Sequence, residues 1–483
     1  MTLRCLFVDF NSYFASVEQE DAAELRGRPV AVAPVMTDST CCIAASIEAK
    51  RFGIRTGTLV REARERCPEL LVVPARPARY MQAHTRLMAA IADCIPHGTP
   101  GSIDEVPCWL IGRERQRVNA VAIAQAIKRR IADEFAAIRC SIGIAPNRFL
   151  AKTASDMQKP DGLVVLEKHD LPHALHGLEL RDLCGIGSSM EARLLAAGID
   201  SVEELCAAPK DRLRAAWGSV EGERFWMQLR GIEVPDRRTQ RGSIGHSHVL
   251  DPKLRNLDGM RAVLFKLLAK AAMRLRHEDD GYLARGLQLH VRFVGLDDRF
   301  SPSVEFAPID DTPSLLQQLA KMLEPLERAA ASGRWNVRRN PPLSVAATLV
   351  GIELRSERSG ELIATTRRRQ SVTAVLDKVN NHFGNNALYV AAMQTAIRHD
   401  AAPMRIPFSH LPDVRLEEDF RTQAHAEELV RLRERQFKVL AEAAHKKAQV
   451  QRSPAMSKPS GATTRVRMPL RSLPSSPQLG LGF

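Results

Sequence analysis

The chain has 483 residues, 45% of them apolar, and carries 69 Lys and Arg against 56 Asp and Glu, a net charge of +13 with a pI near 9.5. That length predicts roughly three to four domains, and the apolar share is ordinary for packed cores. The basic balance points to an acidic partner, nucleic acid ahead of a membrane surface, and no apolar run approaches the length of a membrane span.

In chain order, "CLFVDF" reads as a buried strand that runs out at Asp9 and Phe10, and Phe14 and Val17 behind it have helical spacing. The chain enters this strand with no charged-then-apolar leader, so secretion is not expected. Further strands are expected at "RPVAVAP", "LLVVPA", "IRCSIGIA" and "GLVVL", with a helix over 118–135, so residues 1–165 alternate strands and amphipathic helices. Nine cysteines, at 5, 41, 42, 67, 94, 108, 140, 184 and 206, include no CxxC pair, and the chain has no HExxH. A zinc site and a disulfide framework are therefore not expected, and a reducing cytoplasm is.

An aspartate at a strand-to-helix junction is most often a helix cap. The stretch "GSIDEVPCWL" (101–110) gives Asp9 another reading. Adjacent residues on a strand face opposite ways, so Asp104 and Glu105 side by side mark either a turn or a ligand cluster. With Asp9 they supply three carboxylates on neighbouring strand ends, which raise one another's pKa unless a cation intervenes. Magnesium, a hard ion that prefers oxygen, relieves that repulsion. Two such ions activate a hydroxyl and stabilise a leaving pyrophosphate. Acids, metal and basic surroundings together point to phosphoryl or nucleotidyl transfer on a nucleic acid.

Residues 166–235 read as short helices. After the polar connector "PDRRTQRGS", residues 243–353 follow the order β-α-β-β-α-β, with helices near 257–277 and 313–330. Segment 354–420 is less regular. The last 63 residues hold 12 Lys and Arg against 4 Asp and Glu. They begin as a basic helix (about 422–448) and end in a Ser/Pro/Lys-rich stretch expected to be disordered.

Three segments, "FVDFNSYFASVE", "SIDE" and "CSIGIAPNRFLAKTASDMQKPDG" (140–162), together resemble the Y-family, or translesion, DNA polymerases in order and spacing. The resemblance implies an α+β multidomain right hand. Palm and fingers would take 1–165, a helical thumb with a helix-hairpin-helix 166–235, and a βαββαβ little finger 243–353. A C-terminal extension (354–420) and a basic helix with a disordered tail (421–483) would follow. It implies error-prone, template-directed addition of dNTPs to a primer 3′-OH past damaged bases. Asp9, Asp104 and Glu105 match the family's metal-binding acids, Glu105 with the active-site role, and the backbone carbonyl of Phe10 completes a site for two Mg2+ ions, with Mn2+ as a substitute. Phe14 matches the steric gate that refuses a ribose 2′-OH. Tyr13, Lys50 and Lys159 fall at nucleotide-binding positions, a lysine suiting phosphate as a point charge.

Where many family members have Thr, Tyr and Arg around the triphosphate, this chain has Ala44, Ile47 and Lys50. "IEAKRFGIRTG" and segment 370–413 look like the UmuC-type branch, the catalytic part of the mutagenic SOS polymerase. In "DLCGIGSSMEARLLAAGI" (182–199), Gly185 and Gly187 let backbone N–H groups approach a phosphate. Arg292, in "LHVRFVG", is a candidate for template phosphates. The chain ends in "SPQLGLGF", and Gln478, Leu479, Leu481 and Phe483 resemble the peptide that binds the β-type sliding clamp. A flexible tether of that kind raises effective concentration on DNA. The partners implied are primer-template DNA, dNTPs, the clamp and a recombinase or accessory mutagenesis subunits, without a membrane, in the cytoplasm at the nucleoid. Two rival readings are a Y-family scaffold that has lost activity, kept open by Ala44 and Ile47, and a palm-type nucleotidyl cyclase, which has no use for a thumb hairpin or a clamp tail.

Overall fold

The computed structural model describes residues 3–235, 241–278, 281–357, 364–408 and 411–420. The first unit is built on a four-stranded sheet in the order Glu105–Trp109, Cys5–Phe10, Cys140–Ala145, Leu163–Val165. Its first three strands pair antiparallel and the last joins parallel. Strand Cys5–Phe10 is buried along its whole length because both faces are covered, which explains its unbroken apolar run. Pro107 is tolerated because its strand lies at the sheet edge. A smaller sheet, Ala44–Ala45, Val30–Ala33 and Leu71–Pro74, sits beside it.

One close approach sets the geometry of the site. Helix Arg148–Met157 lies so near strand Cys140–Ala145 that a Cβ on Gly143 would stand 2.0 Å from the Ala151 carbonyl oxygen and 2.4 Å from the Ser155 nitrogen. Only glycine admits that contact, and it brings the helix down onto the strand next to Asp9. Asn147 caps the helix, its side-chain oxygen accepting the Leu150 N–H at 2.8 Å.

Short helices Ser188–Ala196, Val202–Ala207, Lys210–Trp217 and Glu221–Leu229 follow. They share a core with Phe7, Phe149 and Leu150 of the first unit. The β-α-β-β-α-β order then appears as expected. Strand Tyr282–Phe293 is central and pairs with Pro342–Val350, which pairs with Ser243–Val249; helices Leu257–His277 and Thr312–Ala331 share the core of this sheet. Among the described residues no helix is long and apolar enough to cross a membrane.

Segment 354–420 holds more order than its sequence predicts. It contains a 20-residue helix, Ala364–Phe383, and a stretch that covers helix Leu257–His277, placing Met393, Ala396, Ala401 and Ala402 in that unit's core. Lys266, Lys270 and Arg274, spaced by four on one helix face, point into this covering. Lys266 and Lys270 are each 1% exposed. Their ammonium groups donate to the carbonyls of Ala401 (2.6 Å) and Ala402 (2.9 Å) and lie 2.6 and 3.1 Å from the Asp419 carboxylate. Burial, and then the like charge of Lys270, lowers the Lys266 pKa to about 8. The expected basic helix at 422–448 and the tail lie outside the described residues.

Asp419→Ala would strand two buried ammonium groups. The expected cost is about 3–5 kcal/mol, read as a lower urea midpoint for the transition of the 243–420 region. An unchanged midpoint would mean that the backbone carbonyls alone satisfy the lysines.

Candidate active site

Asp9 and Glu105 stand directly opposite each other in the antiparallel register of the first sheet, with Ser141 across from Asp9 on its other side. The preceding residue, Asp104, is tied to the same strand end: its carbonyl accepts the Phe10 N–H at 2.9 Å. Its carboxylate accepts the Ser102 hydroxyl at 2.6 Å. Burial first, and then the charge of Asp9, raises the Asp104 pKa. Burial also raises that of Glu105, with Lys152 opposing and Asp9 and Asp104 adding to the rise. The three acids thus share one strand end, and burial resists the ionisation of Asp104 and Glu105.

Two lysines answer this. Lys152, on helix Arg148–Met157, donates to Asp9 and lies 2.5 Å from Glu105 and 3.3 Å from Asp156. Lys159 reaches Asp9 and Asp156, both at 2.6 Å. Burial works against the charged form of Lys152, yet Asp9, Glu105 and Asp156 together raise its pKa far above the ordinary lysine value. Among the described residues no three metal-ligating side chains form a ready-made cage. The carboxylates gather instead around the chain's own cation. Their chemistry still suits a hard divalent ion: oxygen donors only, crowded, and set against ammonium groups.

Lys152 was absent from the sequence-derived candidates. The signal lay in "AKTASDMQK", where Lys152 and Asp156 stand four apart on the helix and Lys159 follows three residues later in the turn beyond it. Asn11 was missed as well. Its side-chain oxygen accepts the Asp161 N–H at 2.7 Å and its amide donates to Ser141 at 3.0 Å, fastening the "KPDG" turn, and so Lys159, to the strand end.

The expected nucleotide residues flank this cluster. Phe14 is 5% exposed, its ring stacked on Tyr80 with centroids 4.4 Å apart. Tyr13 is buried and its hydroxyl donates to the Tyr80 carbonyl at 2.7 Å, so its polar tip serves the core. Lys50 ends the short helix Ile47–Lys50. Burial, and then the charge of Lys159, lowers its pKa, with Asp9 opposing. Ala44 and Ile47 lie on the adjoining strand and helix.

The remaining candidates lie on other units. Gly185 has φ +92° and Gly187 precedes helix Ser188–Ala196, with open space where its Cβ would be. Arg292 projects from the exposed face of Tyr282–Phe293. That sheet's unit touches the small sheet's loop, where Arg255 donates to Ser39 at 3.0 Å. Gln478, Leu479, Leu481 and Phe483 lie outside the described residues.

If ammonium and metal share these oxygens, Lys152→Gln should melt at a lower temperature than wild type in EDTA. It should then gain more than wild type on adding magnesium, as followed by thermal unfolding. Equal gains would show that the two cations use different oxygens.

Known families match the chain in three stretches. The impB/mucB/samB family matches residues 8–156, a thumb domain described from DNA polymerase-iota 181–233, and the impB/mucB/samB C-terminal domain 241–359. A DNA polymerase IV of Moorella thermoacetica is 34% identical over 399 residues, covering 81% of this chain and 96% of its own. One from Halorhodospira halophila is 34% identical over 322 residues, 65% of this chain and 89% of its own. A Y-family DNA polymerase chimera of 22% identity superposes with a TM-score of 0.58 over 73% of this chain and all of its own, and so shares the fold. On these matches, this chain belongs to the Y-family of DNA polymerases.

Proposed function

We propose that the strand end where Asp9, Asp104 and Glu105 gather, with Lys152 and Lys159 paired to Asp9, is the nucleotidyl-transfer centre of this polymerase. The chain is a DNA-directed DNA polymerase of the translesion class, acting on primer-template DNA and dNTPs and using divalent metal ions. Asp9 and Glu105, opposite each other in register, are the observation that carries the assignment of the centre.

In this reading Asp9, Asp104, Glu105 and the Phe10 carbonyl would hold two magnesium ions, or manganese in their place, which would supply charge to acidify the primer hydroxyl and to stabilise the leaving pyrophosphate. The rest falls to the chain. Lys159 and Lys50 draw the triphosphate in as point charges. Lys152, paired with Asp9, Glu105 and Asp156, would place a third positive charge beside those phosphates. Phe14 closes the space a 2′-OH needs, and Tyr13 braces it. Backbone N–H groups near Gly185 and Gly187, with Arg292, grip DNA by its phosphates without reading bases.

On this reading palm and fingers take 1–165, the thumb 166–235, the little finger 243–353, an extension 354–420 and a tail 421–483. Ala44, Ile47, Lys50 and segment 370–413 favour the UmuC-type branch, although the relatives named above are DNA polymerase IV proteins. The terminal peptide 478–483 binds the sliding clamp, and accessory mutagenesis subunits and the nucleoid complete the setting.

Primer extension across an abasic site tests the centre. Wild type should extend with magnesium and stop in EDTA, and Asp104→Ala should lose about a hundredfold to a thousandfold in rate. Equal activity in the two proteins would refute it. Affinity for primer-template should fall steeply as salt rises; a salt-independent constant would refute the ionic grip. Deleting 478–483 should abolish clamp pull-down while leaving extension on short oligonucleotides intact.

A further inference from the structure

The segment after residue 400 leaves one unit, lies against the other and returns to the first. Ala401 and Ala402 belong to the core of the 243–353 unit, held there by the carbonyl bonds to Lys266 and Lys270. Two residues later Met404 is buried in the core of the first unit, and Ile406 packs against it. The segment is pinned at its far end as well. Asp419 pairs with both lysines, and Glu417 pairs with Arg405 at 2.9 Å.

Phe408 is where this strap meets the catalytic edge. Its carbonyl accepts the N–H of Ile103 at 3.1 Å, one residue before Asp104. Its ring lies 5.7 Å from that of Phe14, inclined by 56°. Phe14 is thus enclosed. Tyr80 stacks on it at 20° and is itself fully buried, its hydroxyl donating to Glu18 at 2.9 Å. Tyr13 stands at 5.8 Å. Phe408 is the one member of this aromatic group that comes from outside the first unit, and it is 42% exposed.

We propose that Phe408 is a positioning residue for sugar selection: it pins the Phe14 ring against Tyr80 and so sets how strictly ribonucleotides are refused. The inference rests on the reading of Phe14 as the gate. A steric gate discriminates only as far as its ring cannot yield, because a ring free to swing makes room for the extra hydroxyl. Tyr80 and Tyr13 block some of that motion; Phe408 blocks more. Because the strap is anchored through Asp419, the gate's rigidity is supplied in part by the unit that lies beyond the thumb.

The test is single-nucleotide insertion by the full chain opposite a template thymine, with kcat and KM measured for dATP and for ATP. In Phe408→Ala the ratio of kcat/KM for ATP to that for dATP should rise about three- to tenfold, the span of one aromatic pair's coupling. The rise should come from ATP, with dATP insertion unchanged, and Phe408→Tyr should restore the wild-type ratio. Phe14→Ala should raise the ratio at least as far. If Phe14→Ala raises it and Phe408→Ala does not, the proposal fails and the gate stands. If Phe14→Ala leaves it unchanged, the gate reading falls and takes the proposal with it. Equal losses for both nucleotides in Phe408→Ala would also overturn it, assigning the residue to stability. Phe408→Leu, which keeps apolar bulk without the ring, carries the same expectations should the alanine variant not fold.

Discussion

Negative charge crowded at one sheet edge, and the cations brought to meet it, is the interaction on which the rest of this structure depends. Asp9 and Glu105 face each other across neighbouring strands, and Asp104 is fastened to the same strand end by its backbone. Burial favours the neutral form of Asp104 and Glu105. Such an arrangement persists only where positive charge is supplied at close range. Lys152 and Lys159 supply it from one helix and the turn behind it. A crowd of carboxylates is in this way kept folded by cations of the chain's own.

That solution makes demands on the fold. The helix carrying Lys152 has to lie almost on the backbone of the central strand, which Gly143 permits and any side chain would forbid. The turn carrying Lys159 must stay at the strand end, and Asn11 and Lys128 hold it there through Asp161. The charge cluster and the packing that aims it are therefore parts of one device. A methyl group at residue 143 would displace the counter-charge as surely as removing it.

The C-terminal segment applies the same logic at a distance. Lys266 and Lys270 are buried on a helix whose other residues are mostly apolar, and they are tolerable there because the segment brings carbonyls and Asp419 to them. The ion pairs add little net stability over an apolar core of equal shape, but they define where the segment must lie. Its placement then carries Met404 and Phe408 onto the first unit. What looks from its composition like a loose connector is a tie between the two units.

Much of this was legible in the sequence. Strand Cys5–Phe10, helix Arg117–Glu134 and the β-α-β-β-α-β order were readable because apolar periodicity is a local property of the chain. The three acids were readable because paired carboxylates in a basic protein ask for a cation. The tertiary structure alone decided that Lys152 is the cation at hand, that Tyr13 spends its hydroxyl on the core, and that Phe408 lies against Phe14. The order in segment 354–420 also escaped the sequence, since its apolar residues cover a neighbouring unit instead of repeating along one regular face. Periodicity reports which side of an element is buried; which distant residue buries it depends on the packing of the whole chain, and no spacing along the sequence records that.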